Sequence, residues 1–152
     1  MRSHPGPVTV FGGANIDHIG ATKAPPVAAA SNPGSVRSTP GGVGFNVASI
    51  LARLGHPVRL ATRVGRDREG EVLIDAAGKA GIDTDWIARS TERPTATYLA
   101  ALDDTGALIL GIAGMDICDE IGPASVAETA ATAPAGDTWV VDANLPEGTI
   151  AF

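Results

Sequence analysis

The chain has a single cysteine, Cys118. No disulfide can form within it, and the cysteine-rich spacings of structural zinc sites are excluded. With no histidine close to it in sequence, Cys118 reads as a small, half-buried apolar residue. The three histidines, His4, His18 and His56, share no metal-ligand spacing. Basic residues are few and scattered, 11 against 17 acidic, for a formal net charge of −6. A nucleic-acid surface needs clustered Lys and Arg, so that class of partner is excluded. No run approaches the roughly 20 apolar residues that span a bilayer. The opening Met-Arg-Ser-His-Pro-Gly-Pro has no apolar stretch behind its charge. The expectation is a cytoplasmic protein with no membrane partner.

What is present suffices for one folded domain. A chain of 152 residues, 44% of them apolar, buries roughly 68–70% of its unfolded surface. Nineteen glycines and eleven prolines are spread along it, which implies many turns without disorder.

Val8-Thr9-Val10-Phe11 is a short apolar run that ends in Gly12-Gly13 and predicts a buried first strand. Residues 20–40 are rich in Ala, Pro and Ser, with turn signals at Pro25-Pro26 and Asn32-Pro33-Gly34. They predict a flap with a short strand near 35–38. Gly41-Gly42-Val43-Gly44 opens a helix with Val47, Ile50, Leu51 and Leu54 at helical spacing and Gly55 as terminator. Residues 58–62 predict a strand. Asp67 caps a helix that turns Val72, Leu73 and Ala76 inward and stops at Gly81. A short strand over 83–87 follows. Residues 95–102 and 107–112, separated by Asp103-Asp104-Thr105-Gly106, read as a hairpin. Residues 123–131 predict a helix, 138–142 a buried strand, and 146–152 the start of a further helix. Alternation of strand and helix implies a parallel sheet. The flap and hairpin interrupt it and predict a separate small sheet.

Two segments carry candidate chemistry. Asn15-Ile16-Asp17 follows the first strand, and ligands of open α/β sheets sit outside the carboxyl ends of strands. A carboxylate there can accept two hydroxyl hydrogen bonds from a vicinal diol, and the Asn adds a donor and an acceptor. Ile16 would turn away and pack. The alternative is that the same residues merely form an Asx turn. In Gly41-Gly42-Val43-Gly44-Phe45-Asn46 the glycines allow the backbone to approach a ligand. The helix start directs N–H groups at the same place. Asn46 lies in its first turn. The string is neither a dinucleotide fingerprint nor a P-loop.

Taken together, Asn15-x-Asp17 and Gly41-Gly42-x-Gly44-x-Asn46 resemble the two sugar-binding motifs of the PfkB (ribokinase-like) carbohydrate kinase family. Residues 58–70, VRLATRVGRDREG, match it as well, through their Val-Gly-x-Asp-x-x-Gly ending. Ser31-Asn32-Pro33-Gly34, the stretch Thr97-Tyr98-Leu99 through Met115-Asp116-Ile117, and Asp142-Ala143-Asn144-Leu145-Pro146 are similar to segments of the pseudouridine kinases within that family. The resemblance implies a three-layer α/β sandwich with a parallel sheet, incomplete here, and a small β-sheet lid over segments 20–40 and 95–113. It implies ATP-dependent phosphorylation, with Mg²⁺, of the 5′-hydroxyl of pseudouridine or a similar ribosyl substrate. Asn15, Asp17, Gly41, Gly42 and Asn46 would hold the sugar, with Asn144 contributing. The lid would serve as a homodimer surface.

The family's catalytic Asp lies in a later Gly-Ala-Gly-Asp motif at a helix start. Ala135-Gly136-Asp137 mimics it but runs into a strand, and Asp104-Thr105-Gly106-Ala107 is a hairpin turn. The expectation is therefore that residues 1–152 form the N-terminal part of a kinase domain, without the catalytic Asp and the ATP- and metal-binding part, inactive alone. Two alternatives stand beside it. One is a kinase part for another sugar, such as ribose or a keto-deoxy sugar acid. The other is a non-catalytic sugar-binding or dimerisation remnant. Asp116 and Asp119, after the hairpin, would either approach a nucleoside base or face solvent.

Overall fold

The computed structural model describes residues 6–134 and 136–151. His4, Ala135 and Phe152, which figure in the sequence reading, lie outside the described residues. Two sheets organise the chain. The first is parallel, in the order β5-β4-β1-β9, from β1 (Val8–Phe11), β4 (Val58–Val64), β5 (Ile82–Asp83) and β9 (Thr138–Val141). The short β6 (Ile87–Arg89) pairs with the far half of β4. The second sheet is mixed, in the order β3-β2-β7-β8, from β2 (Asn15–Thr22), β3 (Gly34–Gly41), β7 (Thr97–Leu102) and β8 (Leu108–Gly114). This is the expected α/β class: a parallel sheet between helical layers, with a small sheet beside it.

Alternate residues of β1 feed two cores, as the period of a strand requires. Val8 and Val10 pack with Leu60, Val64, Phe45 and Ala48 under α1 (Val43–Arg53), and with Leu73 and Ala77 of α2 (Arg68–Lys79). Phe11 packs with Ala61, Ile121, Val126 and Leu145 on the opposite face. That face is covered by a 3-10 turn (Asp116–Glu120), α3 (Pro123–Thr132) and α4 (Glu147–Ile150). Asp67 caps α2 and accepts the Gly70 N–H at 2.9 Å. Gly55 and Gly81 take positive φ, 88° and 82°, just past the two helices, where a side chain would be strained.

Several expectations need correction. Residues 15–17 begin an eight-residue strand and form no Asx turn. The flap is a full antiparallel hairpin: β2 and β3 pair from Asn15↔Gly41 to Thr22↔Gly34. Only residues 23–33 between them are loop. The expected strand over 83–87 is two short strands with a turn between. On α1 the buried residues are Gly44, Phe45, Ala48 and Ser49, while Ile50 and Leu54 are exposed. On α2, Val72 also faces outward. Strand β9 is an edge, with Trp139 and Val141 half-exposed. Among the described residues, no helix is long and apolar enough to cross a membrane.

Candidate functional site

Strands β1 and β9 run side by side, Phe11 opposite Val141, so their carboxyl ends open at one place. The Asp142 N–H donates to the Phe11 carbonyl at 2.9 Å and carries the pairing one residue further. Beyond it the Asp142 carboxylate folds back. Its Oδ1 accepts the backbone and side-chain N–H groups of Asn144, each at 2.9 Å, and its Oδ2 accepts the Gly13 N–H at 3.4 Å. Asp142 is 7% exposed. It fits because residue 12 is glycine: a Cβ there would stand 2.8 Å from Asp142 Cβ and 2.9 Å from Gly44 Cα. Asn144 is thus held by its amide, and its Oδ1 is left to accept.

The glycine motif closes the other side. Gly42 precedes α1 at φ 94°, and no side chain caps that helix end among the described residues. A Cβ on Gly42 would come within 2.6 Å of the Gly13 carbonyl and 2.9 Å of Asn15 Oδ1. Only a bare backbone can therefore lie between β1 and the start of β2. The Phe45 N–H donates to Gly13 O at 3.3 Å and fastens the helix start to the β1 end.

These elements enclose a cleft of about 530 Å³ whose wall includes Gly13, Asn15, Gly42, Asp142 and Asn144. Met115, Asp116, Cys118 and Asp119, at the end of β8 and on the 3-10 turn, complete it. Burial pushes the Cys118 thiol up from its ordinary range, and the neighbouring Asp142 and Asp119 carboxylates push it the same way. The thiol therefore stays protonated at neutral pH and behaves as a small apolar wall group. Among the described residues the wall contains no Lys, Arg or His. Arg93 lies close by, but it donates to the Asp116 carbonyl and, at 3.0 Å, to Asp119 Oδ2, which pins the 3-10 turn.

Three of the six residues expected from sequence, Asn15, Gly42 and Asn144, stand in this wall. Asp17 and Gly41 adjoin it. The Asn15 side-chain amide donates to Asp17 Oδ1 at 2.6 Å, and the Asp17 carboxylate lies over Gly41. Asn46 is not brought in. It is exposed on the first turn of α1, and its backbone N–H is bonded to Gly42 O at 2.9 Å. Asp142, quoted above only as part of a family-like segment, is a wall residue to which sequence reasoning gave no site role. The available signal was an Asp at a strand end two residues before an Asn, the spacing of a side-chain-to-backbone turn. His18 faces the other side of β2 from Asp17 and bonds Ser38 Oγ at 2.7 Å. Asp137 lies at the opposite end of β9, against Thr9 and Arg59, with no helix following it.

The arrangement offers a ligand many acceptors, some backbone donors and no cation. It suits a neutral polyol whose hydroxyls donate, and it disfavours an anion.

Comparison with known proteins finds relatives over most of the chain. The family described as pfkB family carbohydrate kinase matches residues 7–148. The pseudouridine kinase of Escherichia coli (strain K12) is 34% identical over 145 residues, covering 95% of this chain and 46% of that protein. A carbohydrate kinase from Agrobacterium tumefaciens superposes with a TM-score of 0.84 at 38% identity, over 95% of this chain and 47% of its own. The ribokinase of Arabidopsis thaliana, solved with ribose and ATP, superposes with a TM-score of 0.63 at 25% identity, over 70% of this chain and 35% of its own. The chain thus spans between about a third and a half of the length of the curated relatives it matches over most of its own.

Proposed function

This chain belongs to the pfkB family of carbohydrate kinases, and from that premise we propose that it is the substrate-holding part of a pseudouridine kinase or of a kinase for a similar ribosyl nucleoside. Kinases of this family are phosphotransferases with an alcohol acceptor. In the proposed reaction the whole protein transfers the γ-phosphoryl group of ATP to the ribose 5′-hydroxyl. Such transfer depends chiefly on positioning and on stabilising charge. The described residues would supply the positioning. Asp17 accepts the ribose hydroxyls, Asn15 orients Asp17, Gly41 and Gly42 let the sugar approach the backbone, and Asn144 adds an acceptor. Asn46 would join only by turning toward the cleft from the first turn of α1. Among the described residues no group of three or more His, Cys, Asp or Glu is placed to hold a metal ion. The ATP and Mg²⁺ of the reaction are assigned to the whole protein rather than to these side chains, and the chain alone is expected to bind without phosphorylating.

One observation favours a neutral ribosyl substrate over a sugar acid: the cleft wall carries Asp116, Asp119 and Asp142, and Arg93 beside it is already engaged by Asp119 Oδ2 and the Asp116 carbonyl. A carboxylate substrate would meet like charge there. Ribose itself remains the second reading, since it offers the same hydroxyls without a base. The segments 20–40 and 95–113, which supply most of the mixed sheet, are read as a lid over the sugar and as the homodimer surface of a cytoplasmic enzyme.

Isothermal titration of the chain with pseudouridine, uridine, ribose and a 2-keto-3-deoxy sugar acid tests the reading. Pseudouridine should bind most tightly and the acid not at all. Asp17→Ala should weaken pseudouridine by about 10–100-fold, as expected for losing a charged hydrogen-bond acceptor. Tightest binding by the acid, or no effect of Asp17→Ala, would overturn the assignment.

A further inference from the structure

The second glycine motif, Gly65-Arg66-Asp67-Arg68-Glu69-Gly70, contributes nothing to the cleft wall. Its fixed positions converge instead on a residue far along the chain, Thr95. Asp67 Oδ2 accepts the Thr95 N–H at 2.7 Å, and Oδ1 accepts the Thr95 hydroxyl at 2.5 Å together with the Gly70 N–H at 2.9 Å. The Thr95 hydroxyl oxygen in turn accepts the Gly65 N–H at 2.8 Å. Thr95 is 4% exposed. Both glycines are needed for this closeness. A Cβ on Gly65 would stand 2.6 Å from Asp67 Oδ2 and 2.6 Å from the Thr95 nitrogen, and one on Gly70 would stand 3.0 Å from Thr95 Oγ1.

Capping a helix asks far less than this. One side-chain oxygen accepting one early N–H is enough, and Asn or Ser serves as well as Asp. Here both oxygens of the carboxylate are spent on Thr95, in charge-assisted bonds stronger than those of a neutral acceptor. Burial would raise the Asp67 carboxyl. The Thr95 hydroxyl and amide and the Gly70 amide outweigh that, and the group is held below its ordinary value.

What Thr95 leads to gives the contact its meaning. The next residue, Ala96, is 1% exposed, and its carbonyl accepts the Ile16 N–H at 3.0 Å. Ile16 stands between Asn15 and Asp17. Thr97 opens β7 and pairs with Ile16 in the sheet. We infer that Asp67 is a positioning residue: through Thr95 it fixes the root of the lid and the backbone from which Asn15 and Asp17 project. The functional part of the inference rests on the reading of those two residues as ligand groups; the anchoring itself does not.

The test uses Asp67→Asn and Asp67→Ser, which keep a helix cap, with Thr95→Val and Thr95→Ser as a second pair. Amide hydrogen exchange of the ligand-free chain is read over residues 15–19, 68–79 and 97–102, and pseudouridine affinity is measured by titration. In Asp67→Asn an amide N–H₂ or a single carbonyl must face two Thr95 donors. Exchange at Ile16 and over residues 97–102 should rise by about tenfold, with residues 68–79 still protected, and the pseudouridine Kd should rise by about tenfold. Asp67→Ser and Thr95→Val should behave alike, and Thr95→Ser should remain close to the parent. Unchanged exchange at residues 15–19 and 97–102 in any folded Asp67 variant overturns the anchoring. So does equal loss of protection over residues 68–79, which is the signature of a simple cap. If the parent chain binds no nucleoside, the site assignment falls, while the exchange data still decide the anchoring.

Discussion

The Asp17 carboxylate rests against the α-carbon of Gly41, where a methyl group would stand 2.9 Å from its carboxyl carbon. The two lie on adjacent strands, with Gly41 opposite Asn15 in the β2–β3 register. Gly41 has no positive φ, so alanine meets no backbone strain there, and the three atoms nearest its methyl all belong to Asp17. Gly41→Ala therefore displaces the carboxylate without removing it. It should weaken pseudouridine binding by about tenfold or more, near the effect of removing a hydrogen bond to a charged group. The melting temperature should move by only a few degrees. Titration calorimetry and thermal unfolding read the two. Unchanged affinity in a folded variant would mean that the exact seat of Asp17 does not matter to the ligand.

Much of this arrangement is legible in the residues themselves, and the failures have a common cause. Asp67 announces its helix because its side chain can do the work of a cap, and Gly55 and Gly81 stop helices because they accept positive φ. The β7–β8 hairpin is marked by Asp103, whose Oδ1 accepts the Thr105 and Ala107 N–H groups at 2.8 Å. Periodicity places Leu73 in the core and Val47, Leu51 and Ala76 against it, but misleads for Ile50, Leu54 and Val72, because the helices also approach the sheet through small residues. Gly44 stands so near Gly12 that a Cβ would be 2.7 Å from the Gly12 carbonyl carbon. Ala48 and Ala77 are fully buried, while the large Ile50, Leu54 and Val72 point away. Strand β2, and all of β3 but its middle, are hidden for another reason. Beyond its first two residues β2 is only half-buried, and β3 is exposed until Pro40. Neither carries the apolar alternation that marks a one-sided strand. Pro40 is tolerated because β3 is an edge. Asp142 was read only as part of a family-like segment, because its bond to Gly13 forms only through β1–β9 pairing.

The same exposure makes a prediction about assembly. Strand register places Val36, Leu99, Leu110 and Ile112 on the face of the lid opposite Asp17. They are 80%, 44%, 54% and 55% exposed. A contiguous apolar face on a single chain marks an interaction surface, and a second copy presenting the same face would bury it isologously. Light scattering after size exclusion should give twice the monomer mass. Leu110→Lys combined with Ile112→Lys should return it to one, since unpaired charges do not enter an apolar interface without cost. A parent chain that runs as a monomer at every concentration tried would remove the lid as a dimer surface.

At the far end of the parallel sheet, Asp137 fastens the edge strand that carries the site. Its side chain is 1% exposed. It accepts the hydroxyl of the fully buried Thr9 and faces Arg59 Nη1 at 3.3 and 3.4 Å. Arg59 also meets Asp83 at 3.8 Å and lies 5.5 Å from the centre of the Trp86 ring. Asp137→Ala would leave a buried hydroxyl without its acceptor and an arginine short of its best counter-ion. Breaking a buried pair from one side costs about 3–5 kcal/mol. The lower end, about 3 kcal/mol, is expected here because Arg59 keeps Asp83 and Trp86. Asp137→Asn should lose less, about 1–2 kcal/mol, since its carbonyl can still accept from Thr9. Urea unfolding should show a lower midpoint with an unchanged slope. Pseudouridine affinity of the folded fraction should hold, because Asp142 and Asn144 are fixed at the other end of β9 by Phe11 and Gly13. A variant as stable as the parent would show that β9 is held by its sheet pairing alone.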